Sequence, residues 1–216
     1  MSTGRTLEGM YEAMLAALGP SHWWPGETPF EVLVGAVLTQ NTNWGNVERA
    51  IGNLRNAGVL DPHAMFDLPP EALAELIRPA GYFRLKTGRL RNVLAWLLEE
   101  CDGDMAALAG RDLDELRPGL LDVKGVGPET ADSILLYALG KPTFVVDAYT
   151  FRILGRHGLV PEDADYHALQ AEFMDRLDPD PRLFNEYHAL LVRVGKDFCR
   201  KQQPKCDACP LSPFLP

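Results

Sequence analysis

An all-α fold is the class this sequence predicts, and three observations carry the prediction. Most segments place apolar residues at helical spacing. Glycines and prolines punctuate their ends. Residues 143–146 (TFVV) form the one run of strand-like composition, too short and isolated to demand a sheet. In chain order, residues 30–38 (FEVLVGAVL) are apolar all round, as a buried helix requires. Residues 46–58 are amphipathic and stop at a plausible cap, Gly58. Asp61 is a candidate N-cap, Pro70 suits a helix start, and Pro79 lies beyond that helix's end. Residues 85–101 read as one long amphipathic helix and residues 104–109 and 112–117 as two short ones. Further helices are expected from Ala148, Asp163 and Leu183, with a turn at the Asp-Pro-Asp-Pro of residues 178–181.

Composition sets the bounds. A chain of 216 residues, 46% hydrophobic and 24% charged, has an ordinary soluble profile and can form one large domain or two small ones sharing helices. The N-terminal stretch has neither a signal-peptide pattern nor an apolar run of ~20 residues, so the expectation is a cytoplasmic protein with no membrane span. A net charge of −9 argues against a surface coated in basic residues, so any polyanion site must be local. Residues 78–91 carry five basic and no acidic side chains, and residues 193–205 five basic against one Asp; each is a candidate contact or a solvated helix face. The five histidines show no metal-ligand spacing.

The stretch KGVGPETADSILLYALG, residues 124–140, specifies helix, tight turn, helix. Gly125 and Gly127 tolerate positive φ, and Pro128 is pre-set for the first helical position. No strand precedes the Gly-x-Gly and no third glycine or Gly-Lys-Ser/Thr follows, which excludes dinucleotide and P-loop readings. The free N–H groups of such a turn suit an anion, one phosphate of a nucleic-acid backbone for instance; a plain packed αα-hairpin is the alternative. Gly140 and Pro142 end the second helix. Asp147 then stands before the next, either as a simple N-cap or as a sheltered carboxylate able to stabilise positive charge or orient water.

Together the hairpin, the Gly140/Pro142 step and the spacing to Asp147 resemble the helix-hairpin-helix, Gly/Pro-Asp superfamily of DNA glycosylases, to which endonuclease III belongs. GAVLTQNT (residues 35–42) and LIRPAGYFRLKTGRL (residues 76–90) are also similar to family segments, so the resemblance spans roughly residues 30–209. It implies two helical lobes with a central cleft, one of residues 28–142 and one of residues 1–27 plus 143–216. It also implies a monomer acting on double-stranded DNA with the damaged base flipped out. Asp147 matches the catalytic aspartate. Gln40 and Asn41, with Thr42, match the segment that fills the gap in the DNA. Lys124, Gly125, Val126, Gly127 and Thr130 match the phosphate-binding hairpin.

Two departures refine the expectation. Members with lyase activity carry a nucleophilic lysine where this chain has Glu129, and a carboxylate forms no Schiff base. That points to a glycosylase using water, with Lys124 or Lys141 as imperfect substitute amines. Trp23, Trp24, Pro25 and Trp44 look like the 3-methyladenine glycosylase branch, where aromatic faces favour a cationic base; packing between lobes is the alternative role. Cys199, Cys206 and Cys209 resemble the endonuclease III 4Fe-4S loop, but Leu215 occupies the fourth cysteine position. The implied cluster is therefore incompletely ligated and structural, with Arg200 and Lys201 directed to phosphates. The rival functions are an endonuclease III-like glycosylase for oxidised pyrimidines or mismatched bases, and a DNA-binding scaffold without catalysis.

Overall fold

A computed structural model describes residues 3–161 and 163–216. Among them there are helices and no strand. In order these are α1 (Thr3–Leu18), α2 (Pro29–Leu38), α3 (Trp44–Asn56), α4 (Pro62–Asp67), α5 (Pro70–Leu76), α6 (Phe83–Cys101), α7 (Met105–Ala109), α8 (Leu113–Asp122), α9 (Pro128–Ser133), α10 (Ala148–Arg156), α11 (Tyr166–Met174) and α12 (Pro181–Asp197). The chain divides into two compact units, Trp24–Lys141 and Met1–Trp23 with Pro142–Pro216.

Asp61, Asp104, Asp147, Asp165 and Asp180 all serve as N-caps, each accepting from backbone N–H groups of the following turn. Several boundaries differ from the sequence expectation: α3, α6 and α12 each begin two residues earlier, at Trp44, Phe83 and Pro181. Asp165 rather than Asp163 caps α11. Helix α8 runs five residues past Arg117, through Pro118, because Leu116 and Leu120 bury one face while the next residue, Gly119, lies close under the Trp96 ring.

In the Trp24–Lys141 unit, α2 forms the centre: every residue but Pro29 is buried, as its uniform apolarity demands. Helix α6 lies against it and carries Lys86, only 1% exposed, whose Nζ donates to the carbonyls of Leu38 (2.8 Å) and Ala80 (2.7 Å). Loss of hydration, aided by the nearby Arg89 charge, pulls this amine down to about 8. In the unfolded chain a lysine titrates near ~10.4, so between these values the unfolded state holds more protons and stability rises with pH. Denaturant midpoints should therefore climb between pH about 8 and about 10. Lys86→Met should flatten that climb.

The other unit packs α1, α10, α11 and α12 around residues 143–146. These four residues are buried. Side chains do for them what a partner strand would do: Gln170 Nε2 donates to Phe144 O at 2.8 Å, and Val146 N donates to Tyr166 Oη at 3.4 Å. Phe144 stacks on Phe173 at 3.7 Å, and Tyr187 Oη donates to Leu7 O at 2.8 Å. Burial on all sides explains the strand-like composition without a sheet.

Candidate active site

The hairpin is built by α8, a turn at residues 123–127, and α9, which widens into a π-helical stretch over Ile134–Ala138. Its two glycines do different jobs. Gly125 has φ +97°, and a Cβ there would stand 2.6 Å from Arg89 Cγ, so what approaches this backbone closely is the arginine stem of α6. Gly127 is the N-cap of α9 with extended backbone (φ −101°), and a Cβ there would meet open space. The expectation of positive φ thus holds at Gly125 and not at Gly127, and the open approach suited to an anion lies at Gly127. Gly125→Ala should cost about 1–3 kcal/mol from left-handed strain and the displaced arginine. Gly127→Ala should cost less than about 1 kcal/mol. Thermal melting of the two variants checks the contrast.

The hairpin is fixed from beneath. Arg117 grips Asp132 with two parallel bonds, Nε to Oδ1 at 2.8 Å and Nη2 to Oδ2 at 3.0 Å, and the Asp132 carboxylate is fully buried. Asn92 Nδ2 donates to Lys124 O at 2.8 Å. Val126 packs into the hydrophobic core, and the Thr130 side chain is buried too. Glu129 is exposed in the first turn of α9. Lys141 Nζ donates to the carbonyls of Ala109 (2.7 Å) and Arg111, which commits one of the two amines considered as stand-ins for the missing lysine; the other, Lys124, is exposed.

The polar segment after α2 reaches the hairpin directly. Gln40 Nε2 donates to Gly125 O (3.2 Å) and Thr130 Oγ1 (2.8 Å), and Arg89 Nη1 donates to Gln40 Oε1. Asn41 is exposed with φ +54°, and Thr42 Oγ1 accepts from Asn46 at 3.0 Å. Beside them Trp24 and Trp44 meet edge to face, centroids 5.2 Å apart, and Tyr137 lies 5.0 Å from Trp24. Gly35 of α2 gives the Trp24 ring its seat: an added Cβ would come within 3.4 Å of it. Pro25 is exposed next to this group, whereas Trp23 belongs to the other unit, where its N–H donates to Ser21 Oγ at 3.2 Å. Sequence reasoning missed Arg89 and Tyr137. Lys86, Arg89 and Asn92 recur every three residues on α6, a periodicity that could have exposed the first.

Asp147 caps α10 in a full capping box. Its Oδ1 accepts from Tyr149 N (2.9 Å), Thr150 N (2.8 Å) and Thr150 Oγ1 (3.0 Å), which leaves Oδ2 as the oxygen turned elsewhere. His188 of α12 brings Nε2 to 3.8 Å from that oxygen. Burial pushes this imidazole toward its neutral form, against the pull of the Asp147 charge. The capping reading of Asp147 is thus met by Oδ1 alone, and the side chain as a whole is 13% exposed. None of the five histidines had been given a role from sequence, and only the packing of α12 on α10 brings His188 here.

At the C-terminus, Cys199, Cys206 and Cys209 lie in one loop. Burial raises the Cys209 thiol, and the sulfurs of Cys199 and Cys206 are near enough to oppose its ionisation further. Protein groups already engage the loop. Arg156 donates to Cys199 Sγ (3.2 Å), Arg200 O (2.7 Å) and Lys201 O (3.1 Å), and Arg152 Nε donates to Cys199 O (2.6 Å). Arg200 and Lys201 are exposed. Leu215, in the fourth ligand position, is apolar. Among the described residues no group of three or more His, Cys, Asp or Glu side chains is arranged to hold a metal ion. Three corners of a four-iron site have their donor type and the fourth does not.

The sequence profile of the HhH-GPD superfamily base excision DNA repair proteins matches residues 34–179. A protein of Methanocaldococcus jannaschii with the provisional name DNA repair glycosylase is 47% identical over 95% of this chain and 93% of its own length. Endonuclease III of Thermotoga maritima is 31% identical over 84% of the chain and 79% of its own length. Among solved structures, the H. pylori 3-methyladenine DNA glycosylase bound to 1,N6-ethenoadenine superposes with a TM-score of 0.78 at 29% identity, covering 90% of this chain and 97% of that one. An endonuclease III trapped on DNA superposes with a TM-score of 0.84 at 24% identity over 100% and 96%, a likeness of fold.

Proposed function

We propose, from the premise that the chain belongs to the HhH-GPD superfamily of base excision DNA repair proteins, that this DNA glycosylase is monofunctional and removes alkylated purines such as 3-methyladenine from duplex DNA. The observation that carries the substrate class is the Trp24, Trp44 and Tyr137 cluster, a set of aromatic faces with Trp24 at its centre. Such faces attract a cationic ring by about 2 kcal/mol when desolvated. An alkylated purine already carries the positive charge that makes it a good leaving group, so no general acid is needed to protonate it. The likeness to the H. pylori 3-methyladenine enzyme supports the same class.

In this reading the glycosidic bond breaks with its electron pair leaving on the base. Asp147 stabilises the oxocarbenium-like sugar through Oδ2 and directs to C1′ a water molecule that adds its oxygen there and gives a proton to the carboxylate. Exposed Glu129 offers no amine and Lys141 is held by two carbonyls, which supports hydrolysis without strand cleavage and leaves exposed Lys124 as the one substitute amine to test by mutation. Phosphate contacts are assigned to Lys124 and the open turn at Gly127, with Arg200 and Lys201 as a second contact, so affinity should fall with added salt. A 4Fe-4S cluster at the cysteine loop would be structural, ligated by Cys199, Cys206 and Cys209 and one group from elsewhere; iron and sulfide quantification tests it.

The decisive assay is release of free base from methylated duplex DNA, run beside strand nicking with and without alkali. Release of 3-methyladenine with nicks only after alkali is the expected result. Nicking without alkali on oxidised pyrimidines would replace this reading with the endonuclease III type.

A further inference from the structure

We infer that His188 is a positioning residue for the proposed reaction: its N–H at Nε2 faces Asp147 Oδ2 and holds that oxygen in the orientation from which it meets the sugar. The inference rests on the reading of Asp147 as the catalytic carboxylate, and it adds to that reading a second side chain from another helix.

The three bonds to Asp147 Oδ1 fix where that oxygen lies, but a carboxylate pinned at one oxygen keeps some freedom to swing the other. A displacement of about 1 Å at a reacting group costs up to about a hundredfold in rate, so Oδ2 needs a restraint of its own. His188 Nε2 approaches it to 3.8 Å, with the two side chains only 7% and 13% exposed. That separation is longer than a hydrogen bond, and contacts of this kind tighten when substrate is bound. A ring nitrogen lone pair turned to a carboxylate would repel it, which puts the imidazole proton on Nε2.

Neutrality is part of the role. Burial favours the uncharged imidazole. A cation in this place would offset the negative charge that an oxocarbenium-like sugar requires, whereas a neutral donor orients the carboxylate and leaves its charge in force.

Packing sets the imidazole where it is. The Phe144 ring, stacked on Phe173, stands almost perpendicular to it with centroids 6.4 Å apart. The register of α12 on α10 is pinned at Gly195, two turns beyond His188, where a Cβ would collide with the Tyr149 ring. Arg152 locks the same contact, donating from Nη2 to Gly195 O at 3.0 Å and from Nε to Cys199 O at 2.6 Å. The helix that Asp147 caps and the helix that carries His188 are therefore fastened to each other independently of the imidazole.

The test is a mutant cycle on the full chain. Single-turnover release of 3-methyladenine from methylated duplex, affinity for a duplex carrying a tetrahydrofuran abasic analogue, and melting temperature are measured for each variant. His188→Leu should slow base release by about ten- to hundredfold with affinity within about threefold of the parent. His188→Gln, whose amide nitrogen reaches the place of Nε2 as a neutral donor, should restore most of the rate. In an Asp147→Asn background, His188→Leu should cost no further rate, because its effect passes through that carboxylate. If His188→Leu fails to fold, NMR of isotope-labelled imidazole nitrogens in the parent still decides: the proton should reside on Nε2.

A proton on Nδ1 would overturn the inference. So would a His188→Gln variant as slow as His188→Leu, or losses that simply multiply in the double variant. Parent-rate release by His188→Leu beside an inactive Asp147→Asn would also overturn it while leaving the catalytic reading of Asp147 in place. Parent-rate release by Asp147→Asn would remove that reading, and the inference with it.

Discussion

Asp147→Asn is expected to lower single-turnover base release by roughly 10²- to 10⁴-fold, the usual scale for a lost acid–base or charge-stabilising group. The geometry makes this substitution informative because the cap uses only one of the two carboxylate oxygens. The amide oxygen of Asn can still accept from Tyr149 N, Thr150 N and Thr150 Oγ1, and Asn is as good an N-cap as Asp. What disappears is the negative charge on the oxygen that is not part of the cap. Melting temperature and affinity for abasic duplex should therefore stay near the parent values while turnover collapses. Base release at the parent rate would return Asp147 to a capping role alone.

The second large effect concerns stability. Asp132→Ala is expected to cost about 3–5 kcal/mol, because it leaves the Arg117 guanidinium facing an emptied, buried acceptor site. Two bonds near 3 Å between a fully buried carboxylate and a guanidinium tie α8 to α9, the two arms of the hairpin. Urea unfolding would show the loss. Replacing both partners by apolar residues, Arg117→Met with Asp132→Leu, should recover much of it, since the pair costs desolvation as well as providing attraction. A single Asp132→Ala variant with unchanged urea midpoint would show that packing alone maintains the hairpin.

Much of this architecture was legible in the sequence because its signals are local. The uniform apolarity of α2, the aspartate caps and the Gly-Val-Gly-Pro turn each follow from residues within a few positions of one another. Asp147 could be placed before its helix for the same reason. What could not be read was which side chains reach across. That Arg89, Gly125 and Thr130, 49 to 90 positions away, meet the Gln40 amide is one such contact. That an arginine stem lies where a Cβ of Gly125 would stand is another. The composition of residues 143–146 suggested a strand, but burial among α11 and α12 side chains selects the same residue types. Local pattern reports what a segment can do, and long-range packing decides which of those options is used.

The Trp24, Trp44 and Tyr137 cluster also has an optical consequence. Rings within about 5 Å of one another exchange excitation, so a photon absorbed by Tyr137 should emerge from tryptophan. Trp96, against Gly119, supplies a separate emitter in the same unit. A positively charged ring settling on Trp24 would drain the shared excited state. If a damaged base binds there as proposed, tryptophan emission would report its arrival without a label.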